Sequence, residues 1–305
     1  MTLSVVIITY NEEQNIGRTL ASVAPLMREL GGEIIVVDSG STDRTREIAE
    51  SFGAKVFVEG WKGFAAQKNS AIEKAAGDWI LNLDADEEVS SELSSEIAQQ
   101  LASTRLIEPR TTVIDAARRA ATWKLGDPPE AEHARGRDAI AFQAFGPVEA
   151  GFYVSRTNLF LGRWIKHGGF WPDCKLRLFR RGRGHVGERA VHENIQLQGD
   201  GNIGKLNGPI THHAYPTLSS YIEHMNRYSS LGAEMAVQRG PRGFSIFNIV
   251  LRPLATFIYN YIFRLGFLDG REGLLLHLYH AVYVSWKYAK AWELSKNRAI
   301  GSSGH

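Results

Sequence analysis

The fold is decided by a stretch that reads EIIVVDSGSTD at residues 33–43. Four apolar residues lie between its first two carboxylates, which predicts a buried strand over residues 33–38. The Ser-Gly-Ser-Thr-Asp turn that follows is typical of the start of a helix. We predict this helix over residues 44–52, with Gly53 as its C-terminal stop.

The same alternation of strand and helix extends to both sides of this stretch. Continuous apolar runs predict strands over residues 3–9, 55–58 and 79–83, and helical spacing predicts helices over residues 12–30 and 65–76. Four such alternations favour an α/β fold, with a mostly parallel sheet and helices on both faces. Ligands of such sheets bind beyond the carboxyl ends of the strands, so we expect functional residues in those loops.

The composition argues against several classes of protein. The chain has 305 residues, of which 44% are hydrophobic and 22% are charged, which is typical of a globular enzyme rather than a collagen-like or disordered chain. Its single cysteine, Cys174, can form neither an intrachain disulfide nor a thiolate cluster, so a reducing cytosol is expected. Residues 1–4 lack a basic leader, which predicts no signal peptide. The loop at residues 9–12 has no glycine, which argues against NAD-dependent and ordinary ATPase chemistry.

The net charge of +2 conceals two halves of opposite sign. Residues 1–150 carry 15 Lys/Arg against 24 Asp/Glu, whereas residues 151–305 carry 20 against 9. The basic half predicts an anionic partner, either nucleic acid, a phosphorylated glycan or an acidic membrane surface, unless the two halves merely neutralise each other. No recognised nucleic-acid-binding motif is present, so we expect no nucleic-acid partner.

The regular alternation of strands and helices is predicted to end at residue 102. Residues 103–150 mix Pro, Arg and Ala and are interpreted as an insertion or mobile excursion with a short helix. The elements predicted from there on are a helix at 113–123, strands at 151–170 and 175–180, a loop at 194–204, and helices at 218–238, 244–263 and 273–295.

The last two helices are unusually apolar. Arg252 and Arg264 interrupt the apolar run, which therefore lacks the roughly 18–20 residues needed to cross a bilayer. Aromatic residues together with arginines suit a helix that lies in the headgroup region of a membrane. Packing on the catalytic domain or on the second subunit of a homodimer is the alternative, and the sequence leaves both open.

Asp84 and Asp86 follow the strand that is predicted to end at Leu83. Carboxylates at positions i and i+2 of an extended chain project to the same side and can share a divalent cation, which prefers oxygen ligands. Their position at a strand end favours this metal site. In the alternative interpretation, the acidic run only favours the start of the helix near Ser90.

Asp38 and Lys68 are further candidates near strand ends. Asp38 ends the second predicted strand, where a carboxylate can accept hydrogen bonds from a base or a ribose. Helix capping by Ser41 or Thr42 is the alternative, and it explains Asp43 but not Asp38. Lys68 could face phosphate oxygens, although an exposed helical lysine is usually solvated.

Four motifs resemble those of family 2 glycosyltransferases, which have the GT-A fold, a Rossmann-like, mostly parallel sheet with flanking helices. They are VIITYNE at 6–12, VVDSGSTD at 36–43, QKN at 67–69 and LDADE at 83–87. Motifs of the second half are similar to the bacterial lipopolysaccharide inner-core β-1,4-glucosyltransferase branch. They are NLFLGRWIKHGG at 158–169, KLRLFR at 175–180, VHE at 191–193 and DGREG at 269–273.

The resemblance implies a role for each candidate. Thr9, Tyr10, Glu12, Asp38 and Ser41 would line the nucleoside pocket, Lys68 would approach the nucleotide or diphosphate, and Asp84, Ala85 and Asp86 would hold the ribose and a Mg²⁺ or Mn²⁺ that bridges the diphosphate. The reaction would be a single displacement with inversion at the anomeric carbon. A base must then deprotonate the acceptor hydroxyl, and we assign this role to Glu193.

Each candidate in the second half could also serve the structure of the protein instead of its chemistry. Glu193 is one of 9 acidic residues among 20 Lys/Arg over residues 151–305, so an ion pair is its alternative. His192 either orients Glu193 or is a buried imidazole. Of His212 and His213, at most one could contact the metal or diphosphate, because adjacent residues of a strand face opposite ways.

Basic and aromatic residues complete the candidate set. Arg177 and Arg180 belong to a cluster with Arg181 and Arg183 that suits a diphosphate or a phosphorylated acceptor, unless it is a solvated loop. Trp164 and Trp171 could stack on sugar faces, although buried tryptophans usually serve packing.

The resemblance and the composition together divide the chain into regions. Residues 1–102 form the donor half of the GT-A domain, 103–150 the insertion, 151–215 the acceptor-side half with the base, 216–300 a C-terminal helical extension, and 301–305 a linker. We expect an inverting, metal-dependent enzyme at the cytoplasmic membrane face that moves a sugar, glucose in this branch, from a UDP-sugar to a bacterial cell-surface glycan or glycolipid such as the lipopolysaccharide inner core. A peptide or other polysaccharide acceptor, and a non-catalytic nucleotide-sugar-binding scaffold, stay open as alternatives.

Overall fold

The structure is a computed structural model that describes residues 1–103, 149–187, 194–199 and 201–302. These residues form two compact units. The first contains the described residues up to 154, together with 175–187 and 194–209, and the second contains 155–174 and the chain from 210 onward. The helix predicted at 113–123, almost all of the 103–150 insertion and most of the 301–305 linker lie outside the described residues.

The first unit contains four parallel strands. They are β1 (Leu3–Thr9), β2 (Gly32–Asp38), β3 (Lys55–Val58) and β4 (Trp79–Asp84), in the spatial order β3-β2-β1-β4. The short strand β5 (Glu87–Val89) follows β4 in the chain. β6 (Glu149–Phe160) lies beside β8 (Asp173–Arg180), which pairs antiparallel with β4.

Helices connect the parallel strands as the sequence predicts. They are α1 (Ile16–Leu30), α2 (Thr45–Ser51) and α3 (Phe64–Glu73), and a fourth helix, α4 (residues 91–103), follows β5. α1 buries Ile16, Leu20, Val23 and Leu26 at spacings of three or four residues, so one side of the helix faces the core. In the core, Ala71 and Ile72 of α3 pack with buried side chains of β1, β2, β4 and β8.

The second unit combines the end of β6 with a helical region. β12 (Ile210–Tyr215) runs parallel to β6 and β7 (Arg163–Trp164) runs antiparallel to it. α5 (Leu218–Gln238) is capped by Thr217, whose hydroxyl accepts the Ser220 N–H at 3.1 Å. The remaining elements are π-helical turns at Phe247–Leu251 and Tyr259–Phe263 around α6 (Arg252–Ile258), a 3₁₀ turn at Gly266–Asp269, and α7 (Gly270–Ser302). Within the described residues, no helix has an apolar stretch long enough to cross a membrane.

Several sequence predictions need correction. The predicted loop at 194–204 contains β10 (Ile195–Leu197), which pairs with β9 (Gly184–Val186), and β11 (Asn202–Lys205), which pairs with β6. In both segments, isolated apolar residues lie among Gly and Gln and give no strand pattern in the sequence. The two strands are recognised only from their pairing with β9 and β6. The strand predicted over 151–170 ends at Phe160, because Leu161 and Gly162 adopt positive φ angles of 52° and 81° and turn the chain. The first helix begins at Ile16 instead of residue 12, and the last is Gly270–Ser302 instead of 273–295. The single helix predicted over 244–263 is instead α6 between two π-helical turns.

Candidate active site

The carboxyl ends of β1, β2 and β4 lie side by side. In the strand register, Thr9 is opposite Asp38 and Ile8 is opposite Asp84. Three sequence-predicted site residues from separate motifs therefore lie along one edge of the sheet. This is the edge at which ligands bind in open parallel sheets.

Asp38 organises the turn after β2. Its carboxylate is fully buried and accepts the backbone N–H groups of Gly40 and Ser41 at 3.0 and 2.8 Å, together with the Ser41 hydroxyl. The start of α2 is instead fixed by Asp43, which accepts the Thr45 N–H at 3.0 Å. Asp38 is therefore not a helix cap, and its direct contact with a nucleoside stays a prediction.

Asn11, which the sequence analysis did not single out, joins the loops after β1 and β2. Its backbone N–H donates to Ser41 Oγ at 2.8 Å, and its side-chain oxygen accepts the Thr42 N–H at 2.9 Å. Asn11 adopts a φ of 54°, a left-handed conformation that asparagine tolerates better than most residues. These bonds hold Tyr10 in a fixed loop with 57% of its surface exposed, so its ring is accessible to a ligand.

Asp84 is part of a charged cluster between β4, α3 and β8. Its carboxylate lies 2.8 Å from Lys68 Nζ and 2.8 Å from an Arg177 guanidinium nitrogen. Arg177 also pairs with Glu87, a fully buried carboxylate that accepts the Asp84 N–H at 3.0 Å. Burial raises the pKa of Asp84, but the charges of Lys68 and Arg177 more than offset this, so the pKa lies well below its usual value.

Arg177 is therefore not part of a solvated loop. It lies on β8, it is 5% exposed, and both of its carboxylate partners come from the end of β4 and from β5. The antiparallel pairing of β8 with β4 brings it there. Glu87 was interpreted only as part of an acidic run, because its arginine partner is 90 residues away in the sequence.

Carboxylates accumulate next to this cluster. Burial raises the pKa of Glu12, a hydrogen bond from Asn15 opposes the shift, and the negative charges of Asp86, Asp43 and Asp84 add to it. The carbonyl of Ala85 is buried and accepts the Thr19 hydroxyl at 2.7 Å, which fixes the backbone between Asp84 and Asp86. The carboxyl edge of the sheet thus carries several negatively charged carboxylates, whose oxygens are suited to bind a cation.

This donor set fits a divalent cation that also binds a substrate. Among the residues that the structure describes, no group of three or more His, Cys, Asp or Glu side chains could hold a metal alone. Mg²⁺ is commonly bound by only one or two carboxylates together with substrate phosphates. Asp84 and Asp86 lie at the strand end as such a pair, and an Asp84 oxygen that contacted the metal would share it with Lys68 or Arg177, which already lie 2.8 Å from its two oxygens.

Arg180 lies away from these residues. It is opposite Trp79, the first residue of β4, with its guanidinium 4.9 Å from the Trp79 ring and its Nε donating to the Glu149 carbonyl at 3.0 Å. The five residue steps from Trp79 to Asp84 span about 17 Å in a strand. The structure therefore does not bring Arg180 to the carboxyl edge, and its role as a diphosphate contact finds no support there.

The remaining candidates belong to the second unit or are not described. His212 and His213 lie in β12, and His212 Nδ1 is 2.8 Å from Asn158 Oδ1. The rings of Trp164 and Trp171 contact each other edge-on at 5.0 Å, and Lys166 Nζ lies 4.4 Å from the Trp164 ring. The predicted base Glu193 and its neighbour His192 lie outside the described residues. The roles of all six stay predictions.

Glu59 stabilises the helix that carries Lys68. Its carboxylate contacts Lys74 Nζ at 2.6 Å and Lys62 Nζ at 2.9 Å, and it accepts the Ser70 hydroxyl at 2.7 Å. The hydrogen bonds from Lys74, Lys62 and Ser70, in that order, lower the pKa of Glu59 to about 2 from an ordinary value of 4.5. The ionised carboxylate therefore favours the folded state.

We expect the Glu59→Gln variant to lose about 1 kcal/mol or less of unfolding free energy at neutral pH, because the network is near the surface. A folded pKa below the unfolded one means that this stabilisation is complete above pH 4.5 and is lost as the pH falls towards about 2. Urea unfolding at neutral pH and at about pH 3 should show the difference from wild type narrowing in acid. Glu73→Gln, at an exposed position of the same helix, serves as the control, and a difference independent of pH would contradict the prediction.

Similarity to known proteins places the chain in a family. A family model described as glycosyl transferase family 2 matches residues 4–159. An uncharacterized glycosyltransferase of Rickettsia typhi is 30% identical over 303 residues, which cover 99% of this chain and 90% of that protein. The lipopolysaccharide core biosynthesis glycosyltransferase LpsC of Rhizobium meliloti is 28% identical over 301 residues, which cover 96% of this chain and 93% of that protein.

A solved structure matches over a shorter region. Glucosyl-3-phosphoglycerate synthase from Mycobacterium tuberculosis, in complex with Mn²⁺, UDP and glucosyl-3-phosphoglycerate, is 33% identical over 28% of this chain and 34% of that chain, with a TM-score of 0.26. The family match and the nearly full-length relatives define the class of protein as a glycosyltransferase with the GT-A fold. The chain belongs to glycosyl transferase family 2, as its motifs predicted.

Proposed function

We propose that this enzyme transfers glucose from a UDP-sugar to a bacterial cell-surface glycan, with the lipopolysaccharide inner core as the acceptor to test first. One observation carries the donor half of the proposal. Residues of three predicted motifs, Thr9, Asp38 and Asp84, lie together at the ligand-binding edge of the sheet.

The acceptor half rests on two further observations. The relative LpsC, named for lipopolysaccharide core biosynthesis, aligns with 96% of this chain. Residues 151–305 carry 20 Lys/Arg against 9 Asp/Glu, and such a basic half suits an anionic glycan or glycolipid. A cytoplasmic enzyme at the inner face of the cytoplasmic membrane would meet both substrates.

In the proposed reaction, the acceptor oxygen attacks the anomeric carbon while the bond from that carbon to the diphosphate oxygen breaks. Glu193 takes the proton of the acceptor hydroxyl, and the nucleoside diphosphate leaves on the opposite side, so the configuration inverts. A Mg²⁺ or Mn²⁺ held by Asp84 and Asp86 would neutralise charge on the leaving diphosphate. Lys68 and Arg177 hold the Asp84 carboxylate in place, and the Asn11–Ser41 hydrogen bond fixes the loop that presents Tyr10.

A donor screen tests the proposal directly. Thermal shifts measured with UDP-, GDP- and dTDP-sugars, each with and without Mg²⁺ or Mn²⁺, should show the largest stabilisation with UDP-glucose and metal together. Product analysis with truncated lipopolysaccharide acceptors then identifies the transferred sugar and its linkage. A stronger shift with a GDP- or dTDP-sugar, or transfer to a peptide in place of the glycan, would replace the proposed substrates.

The Asp86→Ala variant tests the metal site. We expect its stimulation by Mn²⁺ to fall roughly tenfold or more, because one of two carboxylate ligands is removed. The measurement is the transfer rate as a function of metal concentration, with EDTA-treated enzyme as the baseline. Glu88→Ala, two residues along the chain, is the matched control. A fully active Asp86→Ala enzyme that EDTA does not inhibit would rule out this ligand.

A further inference from the structure

The second unit exposes ten Val, Leu, Ile and Phe side chains between residues 247 and 268, which together we call the apolar face. One part is a stripe of Phe247, Val250, Leu251, Leu254, Ile258 and Ile262, each between 40% and 59% exposed. Their spacing of three or four residues places them on one side of the helical segment. The other part is the end of that segment, where Phe263 is 73%, Leu265 46%, Phe267 44% and Leu268 50% exposed.

The size of this face is unusual for a monomer. Ten large side chains that are about half exposed, at roughly 150 Å² each, give an apolar area on the order of 700 Å². Monomeric proteins rarely expose a continuous apolar patch of more than a few hundred Å². The face is therefore expected to have a partner.

The charges around the face indicate which partner fits. Arg239, Arg242, Arg252 and Arg264 are exposed, and residues 235–268 contain no Asp or Glu. Arg252 and Arg264 lie 5.1 and 5.9 Å from tyrosine rings, those of Tyr288 and Tyr259. An apolar face bordered by arginines and tyrosines matches the boundary between lipid chains and anionic headgroups.

A second copy of this chain suits the face less well. A two-fold interface places the same surface of both copies in contact. Each copy would bring its arginines to the interface, and residues 235–268 offer no carboxylate to neutralise them. Anionic headgroups supply that neutralisation directly.

We propose that the apolar face inserts into the headgroup region of an anionic bilayer, with Phe263 among its most deeply inserted side chains and the four arginines binding lipid phosphates. The bilayer is thus a binding partner of the second unit, and the interaction requires neither the donor nor the acceptor.

Vesicle flotation of the full chain tests this binding. Wild-type protein is expected to bind phosphatidylcholine vesicles that contain phosphatidylglycerol at least tenfold more tightly than pure phosphatidylcholine vesicles. Phe263→Glu should lower this binding at least tenfold, and Arg242→Gln about fivefold. Both residues are exposed, and the Arg242 side chain donates one hydrogen bond, from Nε to the Ala236 carbonyl at 3.2 Å, so circular dichroism and thermal unfolding check that both variants keep the wild-type fold. Ile203→Glu, at a 44% exposed apolar position of the first unit, should bind like wild type.

Three outcomes would overturn the proposal. They are wild-type protein that does not bind vesicles, binding that is equal for both vesicle types, and a lipid-free dimer that Phe263→Glu converts to a monomer. Sugar transfer to a water-soluble acceptor separates this result from the proposed reaction, because Phe263→Glu should leave that rate unchanged. An inactive enzyme that still binds anionic vesicles would contradict the proposed reaction alone.

Discussion

Replacing Arg177 with methionine is expected to lower the free energy of unfolding by about 3–5 kcal/mol. Arg177 is 5% exposed and pairs with both Asp84 and Glu87. Glu87 is fully buried, so the variant leaves a carboxylate without its arginine in a region of low dielectric. Methionine replaces the arginine side chain as far as Nε and leaves only the space of the terminal guanidinium atoms, so the loss reports mainly the missing charge.

Urea unfolding of purified wild type and variants measures this loss. Arg181→Met changes an exposed arginine just beyond the same strand, and it should stay within about 0.5 kcal/mol of wild type. The double variant Arg177→Met/Glu87→Gln removes the uncompensated charge and should recover part of the loss. If Arg177→Met is as stable as wild type, the buried ion pair does not stabilise this edge. The same conclusion follows if the double variant loses as much unfolding free energy as the two single variants, Arg177→Met and Glu87→Gln, lose together.

The contrast between Arg177 and Asp38 shows what the sequence can predict. A strand end is a local feature, so Asp38 and Asp84 were located from their own neighbours, and the parallel register then aligned them. The partner of Arg177 depends on the antiparallel pairing of β8 with β4, which no local pattern encodes. Glu87 was missed for the same reason, and β10 and β11 were missed because their pairing partners define them.

Asn11 and Arg180 show that the contacts of single side chains also depend on strand pairing, which the local sequence does not encode. Asparagine tolerates the left-handed backbone conformation of Asn11 better than most residues do. The hydrogen bonds of Asn11 to Ser41 and Thr42, however, form because the strands that precede the two loops are adjacent. Arg180 shares a motif with Arg177, yet it lies three residues further along an antiparallel strand and so lies opposite Trp79. Proximity in the sequence therefore did not imply a shared site.

Replacing Glu193 with glutamine is expected to lower the turnover number about 10²–10⁴-fold, the contribution of a positioned general base. Glutamine keeps the size of the side chain but cannot take the proton of the acceptor hydroxyl. Binding of the UDP-sugar and metal should be retained, because those contacts are assigned to residues 9–12, 38–41 and 84–86. Steady-state transfer assays and UDP-sugar thermal shifts measure the two effects separately.

The pH dependence distinguishes a base from an ion-paired glutamate. A general base acts when ionised, so the wild-type rate should rise with pH as Glu193 loses its proton, and Glu193→Gln should lack this rise. A glutamate that only pairs with an arginine would change the unfolding free energy and leave the form of the pH profile intact. Glu188→Gln, which removes the same charge five residues earlier, is the matched control and should keep the wild-type rate. Transfer by Glu193→Gln at the wild-type rate would assign the base to another residue.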